Sequence, residues 1–142
     1  MEPRLGATRF LERFKQRIAR ITKRNRGRPV RDIIGEPGRY AKGWLGCFRL
    51  DSLSAKVRDW DGWIRRRLRS YIWRQWKRVK TRYKSLKKLG IEAETAWMWA
   101  NSRKGYWRIA RSQALSMSIT NEVLKRIGYD ELTERYKKLT RK

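Results

Sequence analysis

The stretch DGWIRRRLRSYIWRQWKR, Asp61 to Arg78, holds three tryptophans and seven cations. A guanidinium fork meets two phosphate oxygens at once, and an exposed indole gives a base a face to stack on, worth about 1–3 kcal/mol. Cations interleaved with aromatic rings at this density point to recognition of a phosphodiester chain. The wider segment Lys56–Lys88 has fourteen cations against two acids, with four tryptophans and two tyrosines. Groups that make and break bonds are scarce. The chain has no histidine and one cysteine, Cys47, which removes the commonest general base, an internal disulfide and an ordinary zinc site. Asp59 and Asp61 flank Trp60, but residues two apart on a helix point in different directions, so they read as acids near a helix N-terminus or as partners of nearby arginines. Asp130 and Glu131 read as helix openers for the same reason. No phosphate-cradling glycine motif, nucleophile elbow or metal signature occurs, so neither catalysis nor a cofactor is expected.

Charge sets the partner class. Lys plus Arg total 39 of 142 residues against 13 acids, a formal charge of +26. Such self-repulsion penalises a compact state until a polyanion neutralises it, and nucleic acid, whose binding releases counterions, fits better than a membrane surface. No stretch has the apolar length of a membrane span, and MEPRLGATRF lacks the apolar run of a signal peptide. A soluble intracellular chain is expected.

Helical periodicity dominates the elements that must position these residues. Phe10, Phe14, Ile18 and Ile21 form one stripe of a helix from about Thr8 to Lys23, whose other faces are basic. RNRGRP, Arg24 to Pro29, stops it and forms a cationic loop. A short helical turn near Arg31–Ile34 is expected to end at GEPG, Gly35–Gly38. A second helix is expected over Arg39–Leu50, with Tyr40, Trp44 and Phe48 on one face and with Gly43 and Gly46 allowing close helix approach or exposing backbone to a ligand, close packing being the plainer reading. The longest helix starts near Ser54. Its core face carries Val57, Trp60, Ile64, Leu68, Tyr71 and Ile72, with Trp63 and Trp76 at the margins.

On that helix Trp73 falls instead among Arg65, Arg66, Arg69 and Lys77, where packing gives no reason for an aromatic. It is a candidate stacking platform, whereas Trp44, Trp60 and Trp63 read as core. TRYKSLKKLG forms a basic helix closed by Gly90. EAETAWMWAN, Glu92–Asn101, carries acids and no cation. SRKGYWR, Ser102–Arg108, reads as a basic aromatic loop with Trp107 as a second stacking candidate. One helix is expected over Ser112–Ile127, and a last one over Asp130–Leu139.

RNRGRPVRDII, YAKGWLGCFRL, DGWIRRRLRSYIWRQWKR, TRYKSLKKLGI and WANSRKGYWRIARSQALSMSITNEVLKRIGY, in that order, resemble the maturase-specific region, also called domain X or thumb, of group II intron reverse transcriptases. The likeness covers the chain from about Phe10 onward. It implies an all-α fold: a thumb-like bundle of about three main helices over residues 9–90 and a smaller helical C-terminal extension over 91–142, with residues 1–8 an unassigned leader. It also implies grip on intron RNA, help in its folding and splicing, and support of template and primer beside a polymerase palm. Carried over as RNA contacts are Arg24, Arg26, Arg28, Arg65, Arg66, Arg67, Arg69, Arg74, Lys77, Arg78, Lys80 and Arg82. Arg103, Lys104 and Arg108 are carried over for the extension, which is associated with target DNA.

The implied partners are group II intron RNA, target DNA and a palm encoded on a separate chain, in a bacterial cytoplasm and without a membrane. The palm motif with its tyrosine and paired aspartates is absent, as is the endonuclease module of some relatives, so no enzyme is expected in this chain. Gly46 and Cys47 stand where many relatives carry an asparagine and an aromatic. Two other readings compete: a helical scaffold that completes a split polymerase, and a general basic RNA-binding protein of the ribosomal kind. Against the latter, cations here follow helical periodicity nearly throughout rather than filling a disordered tail.

Overall fold

A row of apolar residues three and four apart has to be covered by another helix, and this chain repeats that pattern in many short pieces. The computed structural model describes residues 3–23, 27–45, 54–134 and 137. Their regular structure is helical throughout: α1 (Pro3–Ile21), α2 (Val30–Ile33), α3 (Glu36–Leu45), α4 (Ser54–Gln75), α5 (Val79–Lys88), α6 (Ala93–Ala100), α7 (Tyr106–Arg111), α8 (Gln113–Ser118) and α9 (Asn121–Ile127). A further turn of helix covers 132–134. The all-α expectation holds.

The 22-residue α4 is the axis of the fold, about 33 Å long at 1.5 Å per residue. Its Val57, Trp60, Ile64, Leu68, Tyr71 and Ile72 are buried as the periodicity predicts. One hydrophobic core joins them to Phe14 and Ile18 of α1, Ile33 of α2, Leu86 of α5, Ile109 of α7, Leu115 of α8, Leu124 of α9 and Leu132. The core therefore runs through both the N-terminal and the C-terminal segments. Among the described residues the most extensive helix pairings are α5 with α6 and α4 with α7.

Several boundaries differ from the sequence expectation. GEPG opens α3 instead of ending a helix, because Pro37 sits in a first turn, where its missing N–H costs nothing. Close approach occurs at Gly38, against the non-helical backbone of Asp130, and not at Gly43. A Cβ on Gly38 would lie 3.0 Å from Asp130 Cβ and 3.1 Å from Asp130 O, whereas one on Gly43 meets nothing within 4 Å. The segment predicted as one helix over Ser112–Ile127 is broken into α8 and α9. Thr120 accepts a hydrogen bond from the Val123 N–H at 3.2 Å and so caps α9, in competition with helix continuation through the same residue. The loop predicted over Ser102–Arg108 is shorter, since α7 already begins at Tyr106. Gly46, Cys47 and Phe48, and Tyr136 and Leu139 of the last predicted helix, lie outside the described residues.

Candidate nucleic-acid interface

The arginines of RRRLR were expected to contact a phosphate backbone, and all of them also reach across to other elements. Arg67 Nε donates to Thr22 Oγ1 at 2.6 Å and its Nη2 to Ala19 O at 3.0 Å, at the C-terminal end of α1. Arg66 donates twice to Trp107 O, at 3.0 and 2.8 Å, and its guanidinium lies 3.7 Å from the Trp107 ring centroid. Arg69 donates to Ile119 O at 2.6 Å and to Asn121 Oδ1 at 2.8 Å, across the α8–α9 break. Arg65 bonds Glu131 and stands 3.8 Å from Asp61. Outside this block, Arg82 of α5 donates to Trp73 O, near the α4 C-terminus, at 3.3 and 3.1 Å.

These contacts have a common cause. Short helices have many ends, each C-terminal end leaves carbonyls without a helical partner, and cations are favoured there. Ala19 O and Trp73 O are such carbonyls, and long arginine side chains reach them. Burial has an electrostatic consequence: it holds the Arg69 guanidinium at about 10, with the like charge of Arg65 adding to the effect. Burial also lowers Arg82.

Trp73 requires a correction. It is 1% exposed and so offers no face to a base. α5 turns back over the end of α4, which sets the Arg82 guanidinium 4.4 Å from the Trp73 ring centroid, while the Trp76 ring packs against it at 6.1 Å between centroids. Helical angle placed Trp73 correctly among arginines, but that face is covered by a second layer of helices. Trp73→Phe is expected to lower unfolding free energy by about 1–2 kcal/mol and to leave RNA affinity unchanged below the melting transition. Urea titration and RNA titration at one temperature check both halves.

Asp61 was also missed as a structural centre. It is fully buried, accepting from Tyr129 Oη at 2.6 Å, Leu132 N at 2.8 Å, Thr133 N at 2.6 Å and Thr133 Oγ1. One carboxylate on α4 thus caps the turn at 132–134 from 71 residues away. Burial pushes the Tyr129 phenol well above its ordinary range, and the negative Asp61 adds to that. Asp130 and Glu131 do precede this turn, but Glu131 serves mainly as the ion partner of Arg65.

The remaining candidates divide by exposure. Arg28, Lys77, Arg78, Lys80, Arg103, Lys104 and Arg108 are exposed, Arg74 and Trp107 are half-buried, and Arg24 and Arg26 lie outside the described residues. Arg28 is held from behind. Its carbonyl accepts from Tyr71 Oη at 2.6 Å and from Gln75 Nε2, and its guanidinium stands 3.9 Å from Glu36. Arg74 lies 5.8 Å from the Tyr106 ring centroid.

Of two exposed cationic stripes, only Lys80 was singled out in the sequence. Arg13, Arg17 and Arg20 recur at i, i+4 and i+7 along α1, and Lys80, Lys84 and Lys87 do the same along α5, all exposed. Like charges four apart destabilise a helix by a few tenths of a kcal/mol, and neutralisation by an anion relieves that. The signal that could have found them is the same periodicity used for the core, applied to cations.

Among the described residues no helix is long and apolar enough to cross a membrane, and no group of three or more His, Cys, Asp or Glu could hold a metal ion. In comparison with known families, the group II intron, maturase-specific domain matches residues 11–90. No curated protein matches the chain.

Proposed function

Since the chain belongs to the group II intron maturase-specific domain family, we propose that it binds group II intron RNA and assists its folding and splicing, acting as the thumb beside a polymerase palm supplied elsewhere. The observation that carries this reading is the division of labour among the cations. Arg67 and Arg82 satisfy helix-end carbonyls at Ala19 and Trp73, while Arg28, the Arg13–Arg17–Arg20 stripe and the Lys80–Lys84–Lys87 stripe remain at the surface. An excess of +26 has no use in folding, and phosphates supply the counter-charge. Arg103, Lys104 and Arg108 extend the exposed cations into the C-terminal segment, where target DNA is the proposed partner. Within this reading the chain binds and positions nucleic acid and does not itself polymerise.

Protein-free intron RNA and a duplex DNA of equal length, titrated with the full chain over a range of salt, test the proposal. Tighter binding of the structured RNA is expected, with log affinity falling steeply against log salt. Equal affinity for the two would overturn it. A second reading, a scaffold that completes a polymerase, is favoured by one observation: Trp97 and Met98 are 55% and 64% exposed on α6, a helix that carries acid and no cation. In that case RNA binding by the isolated chain would be weak, and the same titration separates the two.

A further inference from the structure

α4, α7 and α8 leave a cleft of about 370 Å³ whose lining includes Gly62, Trp63, Arg66, Arg69, Arg111 and Ser116. Among the described residues the lining contains three guanidiniums and no carboxylate, and no acid forms an ion pair with any of the three. Two of the guanidiniums are already oriented. Arg66 is fixed by two bonds to Trp107 O and by the Trp107 ring beneath it, and Arg69 by Ile119 O and Asn121 Oδ1. In each, the second terminal nitrogen, Nη1, has no partner among the described residues. At the exposed Gly62 the lining carries no side chain, and an added Cβ would meet nothing within 4 Å. Burial lowers the Arg66 guanidinium, and the like charge of Arg111 lowers it further, a repulsion that an anion seated between them would relieve.

A continuous duplex presents its phosphates on a convex surface and cannot enter a concavity of this size. An unpaired nucleotide can, since it carries a phosphate and a flat base on a single flexible link. We propose that this cleft receives one unpaired nucleotide of a bound RNA, its phosphate between Arg66, Arg69 and Arg111 and its base beside the half-buried Trp63, whose ring Lys15 and Arg67 already approach at 5.6 Å. This rests on the RNA-binding reading above and adds to it a preference for irregular RNA. The two oriented arginines act as a pre-set fork, and Arg111, exposed on α7, closes the third side.

The test uses the full chain with two hairpin RNAs of the same stem, one with a single-nucleotide bulge and one fully paired. The bulged hairpin is expected to bind about 10-fold tighter, the worth of one stacking contact with its phosphate. Arg111→Ala should abolish that preference while leaving affinity for the paired hairpin and the melting temperature close to wild type, and Arg111→Lys should restore it in part. Equal affinity for the two hairpins, or an Arg111→Ala effect equal on both, overturns the cleft assignment alone. Adenosine monophosphate that displaces the bulged hairpin at concentrations near the hairpin's own would overturn it in favour of a free-nucleotide site. If neither hairpin binds, the RNA-binding reading itself fails.

Discussion

Asp61→Ala should unfold at markedly lower urea than wild type, with a loss of about 3–5 kcal/mol. The carboxylate is fully buried and holds four donors, Tyr129 Oη, the Leu132 and Thr133 N–H groups and Thr133 Oγ1. Removal leaves those donors without acceptors in a low-dielectric interior. It also leaves Arg65 with Glu131 as its remaining carboxylate. A stability of about 5–15 kcal/mol is usual for a domain of this size, so the variant is expected to be partly unfolded near physiological temperature. Asp61→Asn retains one acceptor and should lose less. Urea midpoints at fixed protein concentration measure both. A loss below about 1 kcal/mol for the alanine variant would mean that the 132–134 turn is not held by Asp61.

The core of α4 was legible in the sequence because apolar spacing reports one face of a helix directly. Val57, Trp60, Ile64, Leu68, Tyr71 and Ile72 all lie where the spacing puts them. The opposite face was misread for a physical reason. Arginine on a helix surface usually means water, but guanidiniums also fit at a helix–helix interface when the facing helix offers carbonyls, and periodicity carries no record of what faces a residue. Arg67 therefore looked like a phosphate grip and braces the end of α1, Arg66 and Arg69 each spend two nitrogens on neighbouring elements, and Trp73 looked exposed and is sealed beneath Arg82. Asp61 escaped notice because its partners lie about seventy positions away, beyond any local pattern. By contrast, Lys77, Arg78 and Lys80 do remain at the surface, and they were legible because they sit around the α4–α5 junction, off the apolar stripe of either helix.

That division makes the second large effect a functional one. Replacing Arg13, Arg17, Arg20, Lys80, Lys84 and Lys87 together with glutamine should weaken binding to structured intron RNA by about 100-fold or more at moderate salt. The salt dependence should flatten by several units of slope, at about 0.7–0.9 for each phosphate that is no longer neutralised. All six are exposed, so each substitution removes charge without opening the core. Relief of like-charge repulsion along α1 and α5 should leave the melting temperature equal or slightly raised. The combination is informative because the interior arginines behave oppositely. Arg67→Ala removes bonds to Thr22 and Ala19 and should act through stability, with little change in salt slope for the fraction that remains folded. Filter binding from low to high salt, together with thermal melts of the same samples, separates the two behaviours. An unchanged slope in the six-fold variant would move the phosphate contacts away from both stripes, and with them the surface on which the RNA-binding reading stands.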